Sequence, residues 1–225
     1  MQFVLVNQPR VLPRKKTYET IKRFLDVLVC LLTLPVVLPV LTVCAIGIRI
    51  DDPHGPILLL QDRIGKGGRS FKMLKFRTIK TDLDITQNHK YMQAYIIGDI
   101  GKDSDGTQIF KPVPNQKIFR VGRLLRKTSL DELPQIFNVL KGEMSIVGPR
   151  PNVPWEVEVY QPWHHERMEV VPGIVGLAQV RGRSSIMFNS LARYDIAYIE
   201  KRGLILDLKI LWWSLLTILS GKGVR

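Results

Sequence analysis

Two adjacent carboxylates, Asp131 and Glu132, lie in the segment SLDELPQ, residues 129–135, between the basic run RVGRLLRK and a proline. Downstream, the segment GPRP, residues 148–151, holds Arg150 between two prolines. A carboxylate that attacks phosphorus must be ionised and screened from its anionic substrate, and neighbouring cations meet both needs. A stiffly held guanidinium forms forked hydrogen bonds with phosphate. These residue types and their spacing favour carboxylate chemistry on a phosphorylated substrate.

The same carboxylates also fit a structural role at the start of a helix. Ser129 and Glu132 match the capping-box spacing, but this start puts Pro134 at the fifth helical position, where its missing N–H costs a hydrogen bond. With Asp131 as the N-cap, Pro134 moves to the third position, where it is tolerated. Gly142 ends the helix in either case. Spacing alone leaves the structural and the chemical interpretation open.

The arginines around the carboxylates have alternatives of their own. Arg126 precedes Asp131 by five residues, which is close enough to reach a phosphate beside it. Arg150 could instead form a structural ion pair, for which Glu143 is a candidate partner. The two arginines of QVRGR, residues 179–183, could equally lie on a solvated surface.

The charge of the whole chain points to an anionic partner. The 225 residues carry a net charge of +13, with 45% hydrophobic and 24% charged residues, so the chain is a folded protein rather than a disordered basic tail. Such an excess is typical of proteins that bind nucleic acid, anionic lipid or phosphorylated small molecules. We expect no nucleic-acid partner, because few aromatic residues stand among the basic ones and no arginine-rich arm occurs.

Cysteine and histidine contribute little to the predicted chemistry. Cys30 and Cys44 both lie in an apolar run, which excludes a disulfide framework and favours a reduced, cytoplasmic setting. His164 and His165 are adjacent, would point in different directions on a regular element, and are interpreted as surface residues. The sequence contains no cluster of cysteine and histidine with metal-ligand spacing.

Residues 27–48 form an uncharged apolar stretch of 22 residues, enough for a helix of roughly 33 Å. Pro35 and Pro39 lie at its middle, where each removes a backbone hydrogen bond. Basic residues flank both ends, so the positive-inside tendency gives no direction of crossing. We predict a re-entrant helix that breaks at Pro35 and returns to the same leaflet. A kinked but complete transmembrane helix is the alternative.

The remaining elements predict an α-rich α/β fold. Residues 55–78 read as a β-hairpin with a glycine-rich turn that lacks the Gly-Lys-Ser/Thr ending of a phosphate loop, and residues 191–203 read as a helix. At the C-terminus, Trp212 and Trp213 indicate a helix lying at a membrane interface, although a core helix fits nearly as well. The predicted organisation is a basic lead (1–20), the membrane helix (21–50), a compact domain (51–203) with a variable excursion (79–118), and an interfacial helix and tail (204–225).

Four stretches of this sequence resemble, in the same order, the motifs of the bacterial sugar transferases, the monotopic polyprenyl-phosphate phosphoglycosyltransferases. They are KRFLD, GPILLLQDRIGKGGRSFKMLKFRT, RVGRLLRKTSLDELPQIFNVLKGEMSIVGPRP and PGIVGLAQVRGR. The resemblance covers roughly residues 20–219. The sequence departs from the family at Asn115-Gln116-Lys117, where Asp-Pro-Arg is frequent. Any substrate preference that depends on the 79–118 excursion is therefore not inferred from the family.

The resemblance implies an enzyme at the bacterial inner membrane, with its catalytic domain on the cytoplasmic face. It would move a sugar 1-phosphate from a UDP-sugar to polyprenyl (undecaprenyl) phosphate and release UMP, as the first membrane step of glycan biosynthesis. By the same resemblance Asp131 is the nucleophile, Glu132 assists it, and both are candidate Mg²⁺ ligands. Phosphate-binding roles are implied for four basic residues: Arg126, Arg150, Lys75 and Arg183.

Other expectations accompany this interpretation. Without an upstream multi-helix domain the chain corresponds to the small, minimal form of the enzyme, and helix 204–219 offers a surface through which two copies could pair as a homodimer. A non-catalytic membrane scaffold for glycan assembly is the principal alternative function. A phosphohydrolase that uses the same aspartyl chemistry with water is a further alternative, although membrane placement favours a lipid acceptor.

Overall fold

The computed structural model describes residues 15–80, 96, 118–181 and 187–219. Helices dominate it, and each of its two small sheets has two strands. Residues 1–14 of the predicted lead and most of the 79–118 excursion lie outside the described residues, but Ile79 and Ile118 form an antiparallel bridge that brings the two ends of the excursion together. The helices are α1 Lys16–Asp51, α2 Arg120–Thr128, α3 Ile136–Lys141, α4 Pro154–Val157, α5 Leu177–Arg181, α6 Phe188–Lys201 and α7 Leu204–Leu219. The strands are β1 Leu58–Ile64, β2 Ser70–Phe76, β3 Ser145–Val147 and β4 Gly173–Val175.

Helix α1 is one helix of 36 residues with Pro35 and Pro39 inside it, and it begins before the predicted position 21. Its first half is fixed to the domain by Arg23, which donates hydrogen bonds to the last carbonyls of α3, and by Asp26, which accepts one from the Ser145 hydroxyl at 2.6 Å. At its other end Asp51 accepts a hydrogen bond of 2.6 Å from the Val121 N–H and so caps α2. Both ends of the helix therefore dock on the same domain.

The middle of α1 contacts the domain along one side only, where Val37, Val40 and Leu41 pack against its core. No side chain between residues 31 and 43 is buried, and Leu32 and Val36 are each 70% exposed. Both prolines lie within this segment. A continuous apolar surface of this kind on a long helix is typical of a segment that lies in lipid.

The predicted β-hairpin is confirmed. Strands β1 and β2 are antiparallel, with Leu58 opposite Phe76 and Ile64 opposite Ser70. Gly67 and Gly68 form the turn with φ angles of 65° and 78°, which glycine adopts without steric cost. Asn138 of α3 fixes the hairpin from the inside.

A second sheet was not expected from the sequence. Strand β3 pairs with β4 in parallel, although the sequence IVGPRPNVP, residues 146–154, predicts a loop. Two glycines allow this close approach: a Cβ placed on Gly173 would lie 2.0 Å from the Gly148 nitrogen. Three-residue strands are too short to show the period-2 alternation by which strands are recognised, which is why the sheet was missed.

The region between β3 and α6 also differs from expectation. The sequence WEVEVYQPWHHERMEVV, residues 155–171, predicts one helix, but this region forms only the short α4 and a 3₁₀ segment, Pro162–Met168. The segment LAQVR, expected to be extended, is helix α5. The predicted helix over 191–203 is confirmed as α6, which starts a turn earlier and ends at Lys201.

His164 is a core residue, so its assignment to the surface was wrong. Its side chain is fully buried and packs against Phe188, with ring centroids 5.1 Å apart. Its Nδ1 accepts a hydrogen bond from the Gln161 N–H, and its Nε2 lies 3.0 Å from the Asn189 Oδ1. Nε2 is therefore the protonated nitrogen, and the ring is neutral. The adjacency argument failed because residues 162–168 fold inward rather than along an exposed face.

We expect this histidine to make the domain sensitive to acid. Burial lowers the pKa of the His164 imidazole to about 4, below the value of about 6.5 for an unfolded chain. The unfolded state therefore binds more protons between these two values, and the free energy of unfolding should fall as the pH drops from about 6.5 to 4, by at most about 1.4 kcal/mol per pH unit. Thermal unfolding across this range should lose this slope in His164→Gln and keep it in His165→Gln. A slope that survives in His164→Gln would contradict the assignment.

Helix α7 has features of both structures that the sequence allowed, a core helix and a helix at a membrane interface. Ile210 is fully buried in a core with Val147, Tyr198 and Ile199. The opposite side exposes Ile205, Leu208 and Trp212, among other large apolar residues. One face thus packs on the domain and the other is suited to a membrane interface.

A buried carboxylate, Asp207, joins α7 to two other helices. It accepts hydrogen bonds from the hydroxyls of Tyr18 (2.7 Å) and Tyr198 (2.8 Å), and it forms an ion pair with Lys22 at 3.0 Å. We expect Asp207→Ala to lower the free energy of unfolding by about 3 kcal/mol, because it leaves a largely buried ammonium and two hydroxyls without their acceptor.

Thermal unfolding of the detergent-solubilised chain measures this loss. The control is Asp62→Ala, which removes the exposed ion pair with Lys72 and should cost less than about 1 kcal/mol. Equal losses in the two variants would contradict a special role for Asp207.

Candidate active site

The two carboxylates lie in a 3₁₀ segment, Leu130–Gln135, between α2 and α3. Ser129 ends α2 in a left-handed conformation with φ of 59°, and its side chain caps nothing. Asp131 is not an N-cap, because it lies inside the first 3₁₀ turn. The start at Asp131 was therefore wrong. Ser129 does stand at the N-cap position of the 3₁₀ segment, but without the predicted side-chain cap; its left-handed conformation reverses the chain, and Pro134 is accommodated within the 3₁₀ turn. Asp131 is turned inward and is only 4% exposed, whereas Glu132 is half-buried.

Lys75 of β2 bridges the two carboxylates. Its Nζ lies 2.7 Å from the Asp131 Oδ2 and 3.4 Å from the Glu132 Oε1. Asn138 sets this geometry, since its side chain accepts a hydrogen bond from the Leu74 N–H and donates one to the Lys72 carbonyl, which fixes β2 against α3. The resemblance gave Lys75 a phosphate-binding role; in the structure it lies against the carboxylates.

Arg126 of α2 is placed beside Asp131 by its contact with Thr78. Its Nε donates a hydrogen bond of 2.9 Å to the Thr78 hydroxyl, and the absence of a side chain on Gly122 lets the Thr78 backbone approach α2. Burial lowers the pKa of Arg126, while the negative charge of Asp131 opposes that shift. Within the described residues its two Nη groups form no hydrogen bond, so they are free to bind an anion beside Asp131.

Glu132 faces a pocket rather than the protein interior. Arg150 lines the same pocket and is exposed to solvent. The alternative ion pair with Glu143 is not formed, because Glu143 accepts a hydrogen bond of 2.7 Å from Asn138 instead. The full lining is Arg63, Met73, Glu132, Gln135, Arg150, Pro151, Gly173, Ile174 and Gln179.

The loop that carries Arg150 is fixed on both sides. Gly148 N–H donates a hydrogen bond to the Val175 carbonyl, which attaches the start of the loop to β4. Asn152 forms an antiparallel bridge with Ile64, which attaches its end to the hairpin. Arg150 is thus held over the pocket by backbone contacts rather than by its own side chain.

A family model of the bacterial sugar transferases matches residues 17–221. The chain belongs to the bacterial sugar transferase family. The match includes α1, the carboxylate pair, the Arg150 loop and α7.

Curated members of this family with high similarity come from several bacteria. The chain is 35% identical to a UDP-N-acetylgalactosamine-undecaprenyl-phosphate N-acetylgalactosaminephosphotransferase of Aeromonas hydrophila, over 97% of this chain and 48% of that protein. It is 34% identical to the galactosyl transferase CpsE of Streptococcus agalactiae, over 94% of this chain and 45% of that protein. The exopolysaccharide production protein ExoY of Sinorhizobium fredii is 33% identical, over 90% of this chain and 87% of that protein. This sugar transferase spans about half the length of the first two relatives.

The sequence interpretation of this sugar transferase missed three polar side chains of the pocket: Arg63, Gln135 and Gln179. Arg63 had been counted among the charges that flank the membrane helix. The sequence of β1 could have identified Arg63. Side chains alternate between the two faces of a strand, so Arg63 lies on the inner face with Leu59 and Gln61. A charged residue on the inward face of a strand is unusual and marks a functional position.

The structure describes only one of the two arginines in the segment QVRGR, residues 179–183. Arg183 lies outside the described residues. Arg181 is exposed and lies over the Trp213 ring, with its guanidinium carbon 4.3 Å from the ring centroid, which agrees with the surface alternative.

The carboxylate oxygens of Asp131 and Glu132 are the kind of ligand that Mg²⁺ prefers. Mg²⁺ is usually bound by one or two carboxylates together with substrate phosphates and water. Asp131 and Glu132 supply two carboxylates that share one ammonium group. In the described part of the chain, no group of three or more acidic, cysteine or histidine side chains is arranged to hold a metal. A metal here would therefore depend on substrate phosphate for its remaining ligands.

Proposed function

We propose that this sugar transferase moves a sugar 1-phosphate from a UDP-sugar to undecaprenyl phosphate and releases UMP. The observation that carries the proposal is the buried Asp131 beside Lys75 and Arg126, with Glu132 and Arg150 lining the adjoining pocket. Relatives from Salmonella typhimurium and Xanthomonas campestris are named undecaprenyl-phosphate galactose phosphotransferase and UDP-glucose:undecaprenyl-phosphate glucose-1-phosphate transferase. These names support the reaction class and leave the sugar open.

The proposed first step is an attack by an Asp131 carboxylate oxygen on the phosphorus that carries the sugar. A phosphorus–oxygen bond forms to Asp131, and the bond to UMP breaks, with its electron pair leaving on the UMP phosphate. Lys75 contacts the carboxylate at 2.7 Å and supplies the opposite charge that a buried carboxylate needs. Arg126 and Arg150 bind the phosphate oxygens on which negative charge accumulates.

The proposed second step returns the enzyme to its starting state. An oxygen of undecaprenyl phosphate attacks the same phosphorus, and the bond between Asp131 and phosphorus breaks. Glu132 borders the open pocket and is the base that removes a proton from the lipid phosphate when it arrives protonated. A bound Mg²⁺, for which Asp131 and Glu132 are the proposed ligands, would neutralise diphosphate charge.

We further propose that α1 enters the membrane and returns on the same side. In the structure this is the single helix that is long and apolar enough to cross a membrane, by length and composition, among the described residues. Both of its ends contact one domain through Asp26 and Asp51, and its exposed middle contains Pro35 and Pro39. A straight crossing would separate the two ends across roughly 30 Å of hydrocarbon. This arrangement would hold Asp131 at the cytoplasmic face of the inner membrane, where lipid phosphates lie.

The experiment that tests the proposed function is an assay of UMP release. The purified chain in lipid nanodiscs is incubated with Mg²⁺ and a panel of UDP-sugars, with and without undecaprenyl phosphate. Release that requires the lipid and prefers one sugar supports the transferase and identifies its donor. Equal release without the lipid would favour a phosphohydrolase. No release with any donor would favour the membrane scaffold.

A further inference from the structure

Arg63 is a buried cation without an acidic partner. It extends from the inner face of β1 into the pocket and is only 9% exposed. Its Nη1 donates to the Pro151 carbonyl at 3.4 Å and its Nη2 to the Gln61 Oε1 at 3.2 Å, and both acceptors are uncharged. Its buried Nε has no hydrogen-bond partner. In the part of the chain that the structure describes, no carboxylate lies within ion-pair distance of this guanidinium.

Such an arrangement is unfavourable unless an anion completes it. A buried charge without a counterion costs several kcal/mol, and Arg150 adds a second positive charge beside the first. Burial and the charge of Arg150 lower the pKa of Arg63 to about 10, which still leaves it protonated at neutral pH. Glu132 is the one acidic side chain that lines the pocket, and Lys75 already binds it. The pocket therefore carries an uncompensated positive charge.

The basic residues of the site fall into two groups. Lys75 and Arg126 lie beside Asp131, where the transferred phosphate is attacked. Arg63 and Arg150 line the pocket on which Glu132 borders, and Asp131 does not line it. A nucleoside diphosphate sugar has two phosphates, and the phosphate that leaves with the nucleoside gains charge as its bond to the other breaks.

We propose that Arg63 binds the phosphate of the departing uridine monophosphate at the mouth of this pocket. Its two Nη contacts, at 3.4 and 3.2 Å, are long and use uncharged acceptors, so a phosphate oxygen at the pocket would be a stronger partner for this guanidinium. This inference rests on the proposed function, because it assumes a uridine diphosphate donor.

Two amides of the same pocket support a nucleoside as the occupant. Gln135 is only 2% exposed, and within the described residues its amide forms no hydrogen bond. The Gln179 Oε1 is buried and also has no partner. Met73 and Ile174 provide apolar walls between them. The Gln179 NH2 group already donates to the Ile174 carbonyl at 3.3 Å, so the Gln135 amide and the Gln179 Oε1 are the groups left for the hydrogen-bonding edge of a planar base at the pocket mouth.

The test compares binding of UMP and uridine to the full chain by isothermal titration calorimetry in detergent. We expect the wild type to prefer UMP, and Arg63→Gln to weaken UMP binding by at least about tenfold while uridine binding stays within about twofold. Gln135→Leu should weaken both ligands by similar factors. The control is Arg69→Gln, which makes the same charge change at an exposed position of the same hairpin and should alter neither affinity.

The comparison separates a phosphate contact from a structural effect. If Arg63 only positions the Arg150 loop through Pro151, its loss will weaken uridine as much as UMP, and the inference is wrong. If Arg63→Gln does not fold, Arg63→Lys replaces it and should show a UMP preference between that of the wild type and none. A wild type that binds UMP preferentially, with Arg63 variants unchanged, overturns this inference alone. A wild type that binds neither ligand overturns the uridine donor and the inference together.

Discussion

Replacing Asp131 with asparagine is expected to reduce UMP release by at least about a thousandfold, because an amide cannot form the acyl phosphate that the proposed mechanism requires. The substitution keeps the shape of the side chain and an acceptor oxygen for Lys75, so the domain should remain folded. A second measurement reports the covalent step directly. With a UDP-sugar but no lipid acceptor, intact-protein mass spectrometry should show a phosphosugar adduct on the wild type and none on Asp131→Asn.

The control for this prediction is Glu143→Gln. Glu143 is a carboxylate just after helix α3. It accepts a hydrogen bond from Asn138 and does not line the pocket, so its loss should leave the adduct intact. An Asp131→Asn enzyme that releases UMP at the wild-type rate would contradict the nucleophilic role. Asp131 would then be a structural residue that anchors the 3₁₀ segment to β2 through Lys75.

The elements that the sequence predicted well are those with a strong local signal. Helix α1 follows from 22 uncharged residues, and the hairpin follows from two short strands around a glycine-rich turn. The carboxylate pair was recognised because its two members are adjacent in sequence. Pro134 also gave a local signal, but the start at Asp131 that it favoured was wrong, because the segment begins after Ser129 and a 3₁₀ turn accommodates the proline.

The parts that were missed depend on contacts between distant segments. Lys75 and Asp131 are far apart in sequence, and no spacing rule joins them; the family resemblance was needed to consider Lys75 at all. The sheet of β3 and β4 forms because Gly148 and Gly173 allow two loops to touch, which neither segment reveals alone. Arg63 was assigned to the membrane flank because its charge was read without the strand on which it lies.

The second large effect is expected from Lys75→Met, which should reduce UMP release by about a hundredfold or more and destabilise the domain by about 3 kcal/mol. Lys75 is the cation in contact with Asp131, a side chain that is 4% exposed. Without it, the buried carboxylate loses its ion-pair partner, which lowers the stability of the domain and removes the group that orients the nucleophile. The same ammonium also holds Glu132 at 3.4 Å, so both acidic residues lose their orientation.

Lys72→Met is a closely matched control, since Lys72 lies three residues earlier on the same strand and its side chain is 60% exposed in an ion pair with Asp62. It should change neither the rate nor the free energy of unfolding by a large factor. Lys75→Arg distinguishes the effect of the charge from that of its position. It keeps a cation and should recover most of the free energy of unfolding. The larger guanidinium should displace the two carboxylates, so the rate of UMP release should stay low. Full activity in Lys75→Met would contradict this role, because the attack by Asp131 would then not depend on the ammonium group of Lys75.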